Sequence, residues 1–426
     1  MTRIRRLAKE GSWIVVGQII TVLGSIVLVR VLTEHLNTAQ YGQLSLGLTV
    51  TGLVNQVVLG GIGNGIGRFY SIAAESEDFG GYLHASRQLY VYATMVVVTI
   101  SLILLAGLLW LGYSAWIGLV AAALVFSILS GYNSALSSIQ NAARQRAIVA
   151  FHAGLDAWLK IGLAIGVMFW LGASSSAVVI GYAISSLIIT ISQLVLLRKT
   201  ISQQQELSKQ NHKWLPQMWE YSLPFSTWGL FTWGQQVSDR WALQAFASTV
   251  DVGQYAVLFQ LGYTPIALLT GMVMSLLGPI LFQRSGDATD KARNANVHGL
   301  TWRITYISIM VTFIGFVFTY LMHEWLFRLL VASEYRGSSY LLPWVLLAGG
   351  LFASGQILSL KLLSEMKSSA MTIIKISTAL IGIFLNVTGA AIAGIKGVVF
   401  SLVAFSVIYF IWMVVLSRHR SPKMFV

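Results

Sequence analysis

The chain has 426 residues, of which 56% are hydrophobic and only 10% are charged, and its mean hydropathy is +0.72. This composition excludes a soluble globular protein, because no water-soluble fold needs so large an apolar share. The absence of cysteine excludes disulfide bonds and thiolate metal sites. The net charge of +13 fits a nucleic acid, a membrane surface or an anionic ligand, so the placement of the charges has to decide between them.

Twelve hydrophobic runs of about 20 residues follow one another, each long enough to cross the hydrocarbon core of a bilayer as a helix. We therefore expect an all-α integral membrane protein of about twelve transmembrane helices. The basic stretch before the first run resembles a signal peptide, but that run is too long and lacks a cleavage site, so it is interpreted as a retained helix. The predicted spans are 11–32, 41–63, 89–112, 115–137, 150–171, 175–197, 219–246, 253–280, 300–322, 340–363, 369–392 and 396–416.

The basic residues lie overwhelmingly on one side of these spans. With both termini in the cytoplasm, 22 of the 28 Lys and Arg residues fall at inner connections, inner helix ends or termini. Only Arg328, Arg336 and Lys396 fall at outer connections. This bias is a strong positive-inside signal and accounts for most of the net charge without nucleic acid.

Two stretches about 210 residues apart resemble each other, and they indicate an internal duplication. In each, an arginine (Arg30 or Arg240) near the end of an apolar helix is followed by a small polar turn and a Gly-Gln pair, at Gly42 and Gly253 respectively. A second similarity joins residues 171–185 to 391–406. Six spans in each copy make the two repeats parallel, related by an axis along the membrane normal, around a central cleft.

The predicted organisation is an N-terminal six-helix lobe at 1–197, a cytoplasmic connecting loop at 198–218 and a C-terminal six-helix lobe at 219–426. No extramembrane segment is longer than about 25 residues, which leaves no room for a soluble catalytic or nucleotide-binding domain. No P-loop, HExxH motif or histidine cluster is present. We expect no enzyme activity, no cofactor, no metal site and no nucleic acid partner, and a monomeric protein.

Five ionisable residues within predicted spans stand out, because each costs roughly 2.5 to 3.5 kcal/mol at mid-membrane unless it has a partner or a watery cavity. Asp156 and Lys160 are four apart, so they either neutralise each other or form a cavity-facing cation fixed by a carboxylate. Asp239 and Arg240 are adjacent and are expected to have different partners. Arg30 either reaches the outer interface by snorkelling or faces the cleft with Arg240. Lys160 is expected in the cytoplasmic half of its helix.

The seventh span carries one continuous small or polar face, which lipid would disfavour and which is therefore predicted to line the cleft. Trp233 in this face either stacks on a sugar ring or packs against another helix. Only Arg240 continues such a face, so the second arginine is the stronger candidate of the two. The face consists of Ser222, Ser226, Gly229, Trp233, Gln236 and Arg240.

Two further patterns concern helix geometry. The glycine run from Gly60 to Gly67 indicates either close helix packing or an unwound turn. Pro265 within the eighth span predicts a kink.

These features together resemble the Wzx-type polysaccharide transporter family, within the superfamily that also contains multidrug exporters and peptidoglycan-precursor flippases. The resemblance covers essentially the whole chain. The residues that carry it are Arg30 to Leu44, Ser238 to Tyr255, Leu329 to Pro343, and the two similar stretches at 171–185 and 391–406.

The resemblance implies a flippase that moves an undecaprenyl-pyrophosphate-linked oligosaccharide, such as an O-antigen unit for lipopolysaccharide, across the bacterial inner membrane by alternating access. It also implies contact with membrane lipid and with polysaccharide assembly proteins. Lys160, Arg30 and Arg240 are then candidates for binding phosphate or acidic sugars, and Asp156 and Asp239 for tuning them or coupling to an ion. A cation-coupled multidrug exporter and a membrane polysaccharide polymerase or ligase are the alternatives.

Overall fold

The computed structural model describes residues 3–76, 78–201, 214–285, 291–364 and 368–418. Throughout these ranges the secondary structure is helical and no strand occurs, as the hydrophobic runs predict. The α-helices are α1 Arg3–His35, α2 Thr38–Leu53, α3 Gly60–Glu75, α4 Phe79–Trp110, α5 Ser114–Ala142, α6 Arg146–Leu171, α7 Ser175–Ile201, α8 Trp214–Phe246, α9 Thr249–Gly262, α10 Thr264–Ser285, α11 Lys291–Leu330, α12 Leu342–Ser364 and α13 Ser368–Arg418.

Ten helical segments of the described ranges are long and apolar enough to cross a membrane, against the twelve runs predicted. Two differences account for the number. The 33-residue helix α8 is too polar to be among the ten, and α13 contains both of the last two predicted spans. Several helices also extend beyond the apolar runs, because backbone hydrogen bonding continues where the side chains become polar. The protein is thus a multi-pass, all-helical membrane protein.

Four irregular segments interrupt the helices. A π-helical segment, Val54–Leu59, joins α2 to α3, and a 3-10 helix, Ser333–Leu341, precedes α12. The helix is interrupted at Tyr263, between α9 and α10. This interruption lies two residues before Pro265 and confirms the predicted kink. Within α13 the helix is broken at Ala393 and Gly394, where Gly394 has a φ of 53° and a ψ of −131° that side chains disfavour.

The described helices form two compact units. The N-terminal unit comprises residues 1–24 and 43–233, and the C-terminal unit comprises residues 25–42 and 234–426. The chain therefore passes between units within α1, within α2 and within α8. The predicted connecting loop at 198–218 lies in part, at 202–213, outside the described residues, and the two-lobe division there stays a prediction.

In the N-terminal unit, α3 and the first part of α8 pack closely. A Cβ added to Gly61 or Gly65 would overlap the hydroxyl of Ser226 or Ser222 on α8. The glycine run is helical from Gly60 onward, so the close-packing interpretation is confirmed. The starts of α4 and α8 also meet, because the Asp78 carboxylate accepts hydrogen bonds from the Gly81 amide at 3.2 Å and the indole of Trp214 at 2.8 Å.

In the C-terminal unit, the duplicated motif has a direct structural explanation. Each copy begins a helix with a polar cap: the Asn37 side chain accepts from the Gln40 amide at 2.8 Å, and the Ser248 hydroxyl accepts from the Asp251 amide at 3.1 Å. The helices α2 and α9 then meet at Gly42 and Gly253. A Cβ on Gly42 would overlap the carbonyl oxygen of Thr249, and a Cβ on Gly253 that of Thr38.

This reciprocal contact is what two copies of one motif produce when they pack about a local two-fold axis. The glycines of the repeated Gly-Gln pairs are therefore needed for backbone approach. No other residue type fits there without moving a helix.

The segment Leu329 to Pro343 contacts the first copy of the motif within the same unit. The Glu334 carboxylate accepts from the hydroxyl of Thr38 at 3.0 Å and from its amide at 3.3 Å. The fully buried Tyr335 donates its hydroxyl to the Leu36 carbonyl at 2.8 Å and lies edge-on to Tyr41. Two of the stretches that carry the family resemblance are thus in contact.

Candidate functional site

The N-terminal unit holds a charged cluster at the centre of α6. The Lys160 ammonium donates to Oδ2 of Asp156 at 2.6 Å, one helical turn away. The other carboxylate oxygen, Oδ1, accepts from the Ser185 hydroxyl of α7 at 2.9 Å. Two rings lie beside the ammonium: Nζ is 5.3 Å from the centroid of Phe126 on α5 and 5.9 Å from that of Tyr182 on α7. We call these five residues the Lys160 cluster.

Lys160 lies near the middle of its helix, and its placement in the cytoplasmic half stays a prediction. The helix α6 begins at Arg146, before the apolar run, so Lys160 is the fifteenth of its 26 residues and lies near its middle. Its side chain is 22% exposed, and Asp156 is the one acceptor within hydrogen-bond distance among the described residues. An ammonium has three N–H donors, so this cation retains donors for a further acceptor.

His152 continues the polar side of α6 one turn before Asp156. It is buried, and both ring nitrogens are hydrogen-bonded, to the Ile148 carbonyl at 2.9 Å and to the Ser192 hydroxyl at 3.0 Å. The bond to Ser192 joins α6 to α7.

The C-terminal unit holds a second charged cluster, formed by Asp239, Arg240, Tyr255 and Phe259. The buried Asp239 carboxylate accepts from the Tyr255 hydroxyl at 2.6 Å and from the Arg240 amide at 2.7 Å. The Arg240 guanidinium lies 4.7 Å from the centroid of Phe259 and donates to the Gln236 carbonyl at 3.1 Å. The two residues also pair with each other, since Nη1 of Arg240 lies 3.4 Å from Oδ1 of Asp239, so the prediction of different partners holds only in part.

Arg30 differs from its repeat counterpart. Its Nη2 forms an ion pair with Glu34, one turn further along α1, whereas its Nη1 is enclosed without a partner. Its side chain is 36% exposed, against 15% for Arg240. The ranking of Arg240 above Arg30 stays a prediction, and the geometry leaves Arg30 the more accessible of the two.

The polar face of α8 is divided between the units. Ser222 and Ser226 lie against the α3 glycines, Gly229 lies against the Gln56 backbone, and Trp233 donates its indole N–H to the Thr49 carbonyl at 2.9 Å. Gln236 is exposed and belongs to the C-terminal unit. Helix packing accounts for the small residues of this face. A role for Ser222, Ser226, Trp233 or Gln236 in binding a sugar stays a prediction.

The sequence does not single out the residues that complete the two clusters. Phe126, Tyr182, Tyr255 and Phe259 lie in apolar or mixed runs, where an aromatic residue is ordinarily part of a core. The pairing of Arg30 with Glu34 has a signal in the sequence, because the two residues are four apart, as Asp156 and Lys160 are. Within the described ranges, no group of three or more His, Asp or Glu residues lies close enough to hold a metal ion.

The sequence over residues 7–285 matches the model of a protein family described as polysaccharide biosynthesis protein. This region is well over half of the chain. The chain belongs to this family. No curated protein matches the sequence.

Solved structures similar to this polysaccharide biosynthesis family member are transporters. An outward-facing multidrug resistance transporter of the MATE family, in the MOP superfamily, has a TM-score of 0.65 and 14% identity over 98% of each chain. An inward-facing one has a TM-score of 0.64 and 14% identity over 94% of each chain. A third similar structure is a MOP superfamily transporter from Pyrococcus furiosus, which is described as having a binding pocket of reverse polarity. It has a TM-score of 0.62 and 14% identity, with 97% of this chain and 95% of that chain covered.

At these identities the structural similarity shows the fold alone. The solved structures that share this fold are described as membrane transporters, so the fold gives no support to the polymerase or ligase alternative. The sites that bind the transported molecule have to be argued from the two clusters.

Proposed function

We propose that this protein is a flippase that moves an undecaprenyl-pyrophosphate-linked oligosaccharide, such as an O-antigen unit for lipopolysaccharide, from the cytoplasmic to the periplasmic leaflet of the bacterial inner membrane. Its partners in this proposal are the lipid-linked oligosaccharide, membrane lipid and polysaccharide assembly proteins, and it works as a monomer. The lipid tail stays in the bilayer while the charged head group crosses.

The observation that carries the proposal is the Lys160 ammonium, at mid-helix with one hydrogen-bond acceptor. A phosphate oxygen is an acceptor with which such a cation forms a strong, charge-assisted hydrogen bond. The excess of interior cations over interior carboxylates supports an anionic substrate less than the sequence indicates. Glu34 pairs with Arg30, so each of the three interior cations has an acidic neighbour. The remaining donors of the Lys160 ammonium support an anionic substrate better.

The second candidate function is export of small cationic drugs, and it is favoured by the MATE-family transporters among the structural neighbours. A site for such a compound needs a carboxylate that is available to it. Both interior aspartates are engaged: Asp156 by Lys160 and Ser185, and Asp239 by Tyr255 and the Arg240 backbone. This arrangement favours the anionic substrate.

The direct test uses the purified protein in liposomes that contain a fluorescent lipid-linked oligosaccharide. We expect the inner-leaflet label to become accessible to a membrane-impermeant quencher outside the liposomes at a rate that depends on the protein. In cells, deletion of the gene is expected to cause lipid-linked glycan to accumulate and surface polysaccharide to disappear. Normal polysaccharide together with increased sensitivity to cationic dyes would instead identify an exporter.

We further propose that the chain crosses the membrane twelve times, with α8 as the seventh crossing and with α13 divided at Ala393 and Gly394. The polar side chains of α8 that pack on α3 support its place in a membrane despite its composition. Reporter fusions after Lys199 and after Ser333 are expected to report opposite sides of the membrane. The same side for both fusions contradicts the twelve-span layout.

Alternating access is the proposed mechanism, and the course of the chain supports it. The chain changes from one unit to the other at Gly24–Ser25, Gly42–Gln43 and Trp233–Gly234. A glycine therefore lies at each of these three junctions. Gly24 and Gly234 are equivalent positions of the repeat, each six residues before the repeated arginine. Glycine lowers the cost of bending a helix, which is what a connection between two moving units requires.

Replacing Gly234 by alanine is expected to slow flipping without destabilising the protein. There is room for the methyl group, because its nearest neighbour would be Cδ1 of Ile383 at 3.6 Å. Alanine stiffens a helix by about 1 kcal/mol relative to glycine, which corresponds to a rate roughly fivefold lower if bending limits transport. The measurement is the flipping rate in liposomes together with the melting temperature.

The matched control is Gly162→Ala on α6, where an added Cβ meets nothing within 4 Å. That variant is expected to flip at the wild-type rate. A wild-type rate for Gly234→Ala as well would count against bending at this position.

A further inference from the structure

The ring contacts of the Lys160 cluster bring three helices together around one cation. Phe126 comes from α5, Lys160 from α6 and Tyr182 from α7. The two ring centroids are 5.7 Å apart with an interplanar angle of 58°, and both residues are buried. The rings therefore form a fixed wall beside the ammonium of Lys160, whose side chain is partly exposed.

The distances from Nζ to both rings, 5.3 and 5.9 Å, lie within the range in which the face of an aromatic ring attracts a cation. A ring face differs from a carboxylate in one important respect. It attracts the ammonium without accepting a strong hydrogen bond and without adding negative charge, so the N–H donors stay available to an anion. A second carboxylate at this place would neutralise the cation and repel that anion.

A lysine also needs such support more than an arginine does. Its flexible four-carbon chain loses rotamer entropy when it is held in one place, and its ammonium has no planar fork that offsets this loss. On the other side, the Asp156 carboxylate is fixed by the Ser185 hydroxyl, which is completely buried. The ammonium thus has a fixed acidic partner and a fixed aromatic wall before any ligand arrives.

We infer that Phe126 and Tyr182 are positioning residues, which hold the Lys160 ammonium so that its remaining donors bind the phosphate or pyrophosphate of the transported lipid. This inference rests on the proposed function. It extends the site to two residues that do not touch the substrate but determine its affinity through Lys160. The same combination of a cation, an aromatic face and a carboxylate occurs at Arg240, Phe259 and Asp239 in the C-terminal unit.

The test measures binding of farnesyl pyrophosphate to the purified full-length protein by calorimetry, with farnesol as the control for the apolar tail. Lys160→Gln is expected to weaken pyrophosphate binding strongly. Phe126→Leu and Tyr182→Leu, which remove a ring but keep an apolar side chain, are each expected to weaken it by roughly twofold to thirtyfold, the range that one cation–π contact supports. Tyr182→Phe keeps the ring face and is expected to retain the affinity lost in Tyr182→Leu.

The decisive measurement is the double variant Phe126→Leu with Lys160→Gln. If the ring acts through the lysine, this variant binds no more weakly than Lys160→Gln alone. Phe169→Leu is the matched control, because Phe169 lies on the same helix as Lys160 and is 87% exposed. It is expected to bind as the wild type does.

Three outcomes overturn the inference in different ways. If Lys160→Gln weakens binding but both ring variants bind as the wild type does, the rings have no positioning role while the proposed role of Lys160 stands. If the ring variants weaken binding equally in the Lys160→Gln background, they act by packing alone. If Lys160→Gln binds pyrophosphate as the wild type does, the proposed anion site and its positioning residues fail together.

Discussion

Alanine at Gly42 or Gly253 is expected to reduce the stability of the protein severely. In either variant the new methyl group overlaps the carbonyl oxygen of Thr249 or Thr38, which is backbone and cannot rotate away. The helices α2 and α9 have to separate, and forced separation of a packed interface costs about 1 to 3 kcal/mol or more. The measurement is the melting temperature and the folded yield after purification.

Because the contact is reciprocal, the losses of stability in the two variants are not expected to add. Once the first methyl group has separated the helices, the second has less to displace, so the double variant Gly42→Ala with Gly253→Ala is expected to lose less than the sum of the single losses. Gly271→Ala on α10 is the matched control, since an added Cβ there meets nothing within 4 Å. Single variants as stable as this control would contradict the packing explanation of the repeated motif.

Replacement of Lys160 by glutamine is expected to abolish most of the flipping activity. The variant loses the charge-assisted bond to the substrate phosphate, which is worth about 1.5 to 3 kcal/mol, or roughly ten- to a hundredfold in affinity. It also leaves Asp156 with Ser185 as its one remaining side-chain partner among the described residues, so part of the loss comes from lower stability. The flipping rate and the melting temperature therefore have to be measured together.

The double variant Asp156→Asn with Lys160→Gln separates the two effects. Because neither charge remains, we expect it to recover the stability of the wild type but not its flipping rate. Recovery of both would identify the pair as self-neutralising, which is the alternative that its four-residue spacing leaves open. Recovery of neither would indicate that the pair is needed for folding.

The helical, multi-pass character of the protein is predictable from the sequence because it depends on local composition. Twelve apolar runs and a strong inner bias of Lys and Arg require no knowledge of which helix packs on which. The same holds for the break near Pro265, since the ring of proline removes a backbone donor wherever it lies.

The structural role of the repeated Gly-Gln pairs is not predictable from local composition. The duplication of Gly42 and Gly253 is visible in the sequence, but their contact joins residues more than 200 positions apart. The length of α6 is a similar case. The predicted span starts at residue 150, whereas the helix begins four residues earlier, at Arg146.

The sequence by itself determined the class of protein, its repeats and the charged residues that need an explanation, because each of these follows from the cost of placing polar groups in a membrane. Only the tertiary structure decided how those charges are held. Phe126, Tyr182 and Ser185 reach Lys160 and Asp156 from neighbouring helices, and Tyr255 and Phe259 reach Asp239 and Arg240 from α9. In a largely apolar chain an aromatic residue beside a cation looks like any other core residue, and only packing reveals which of them faces a charge.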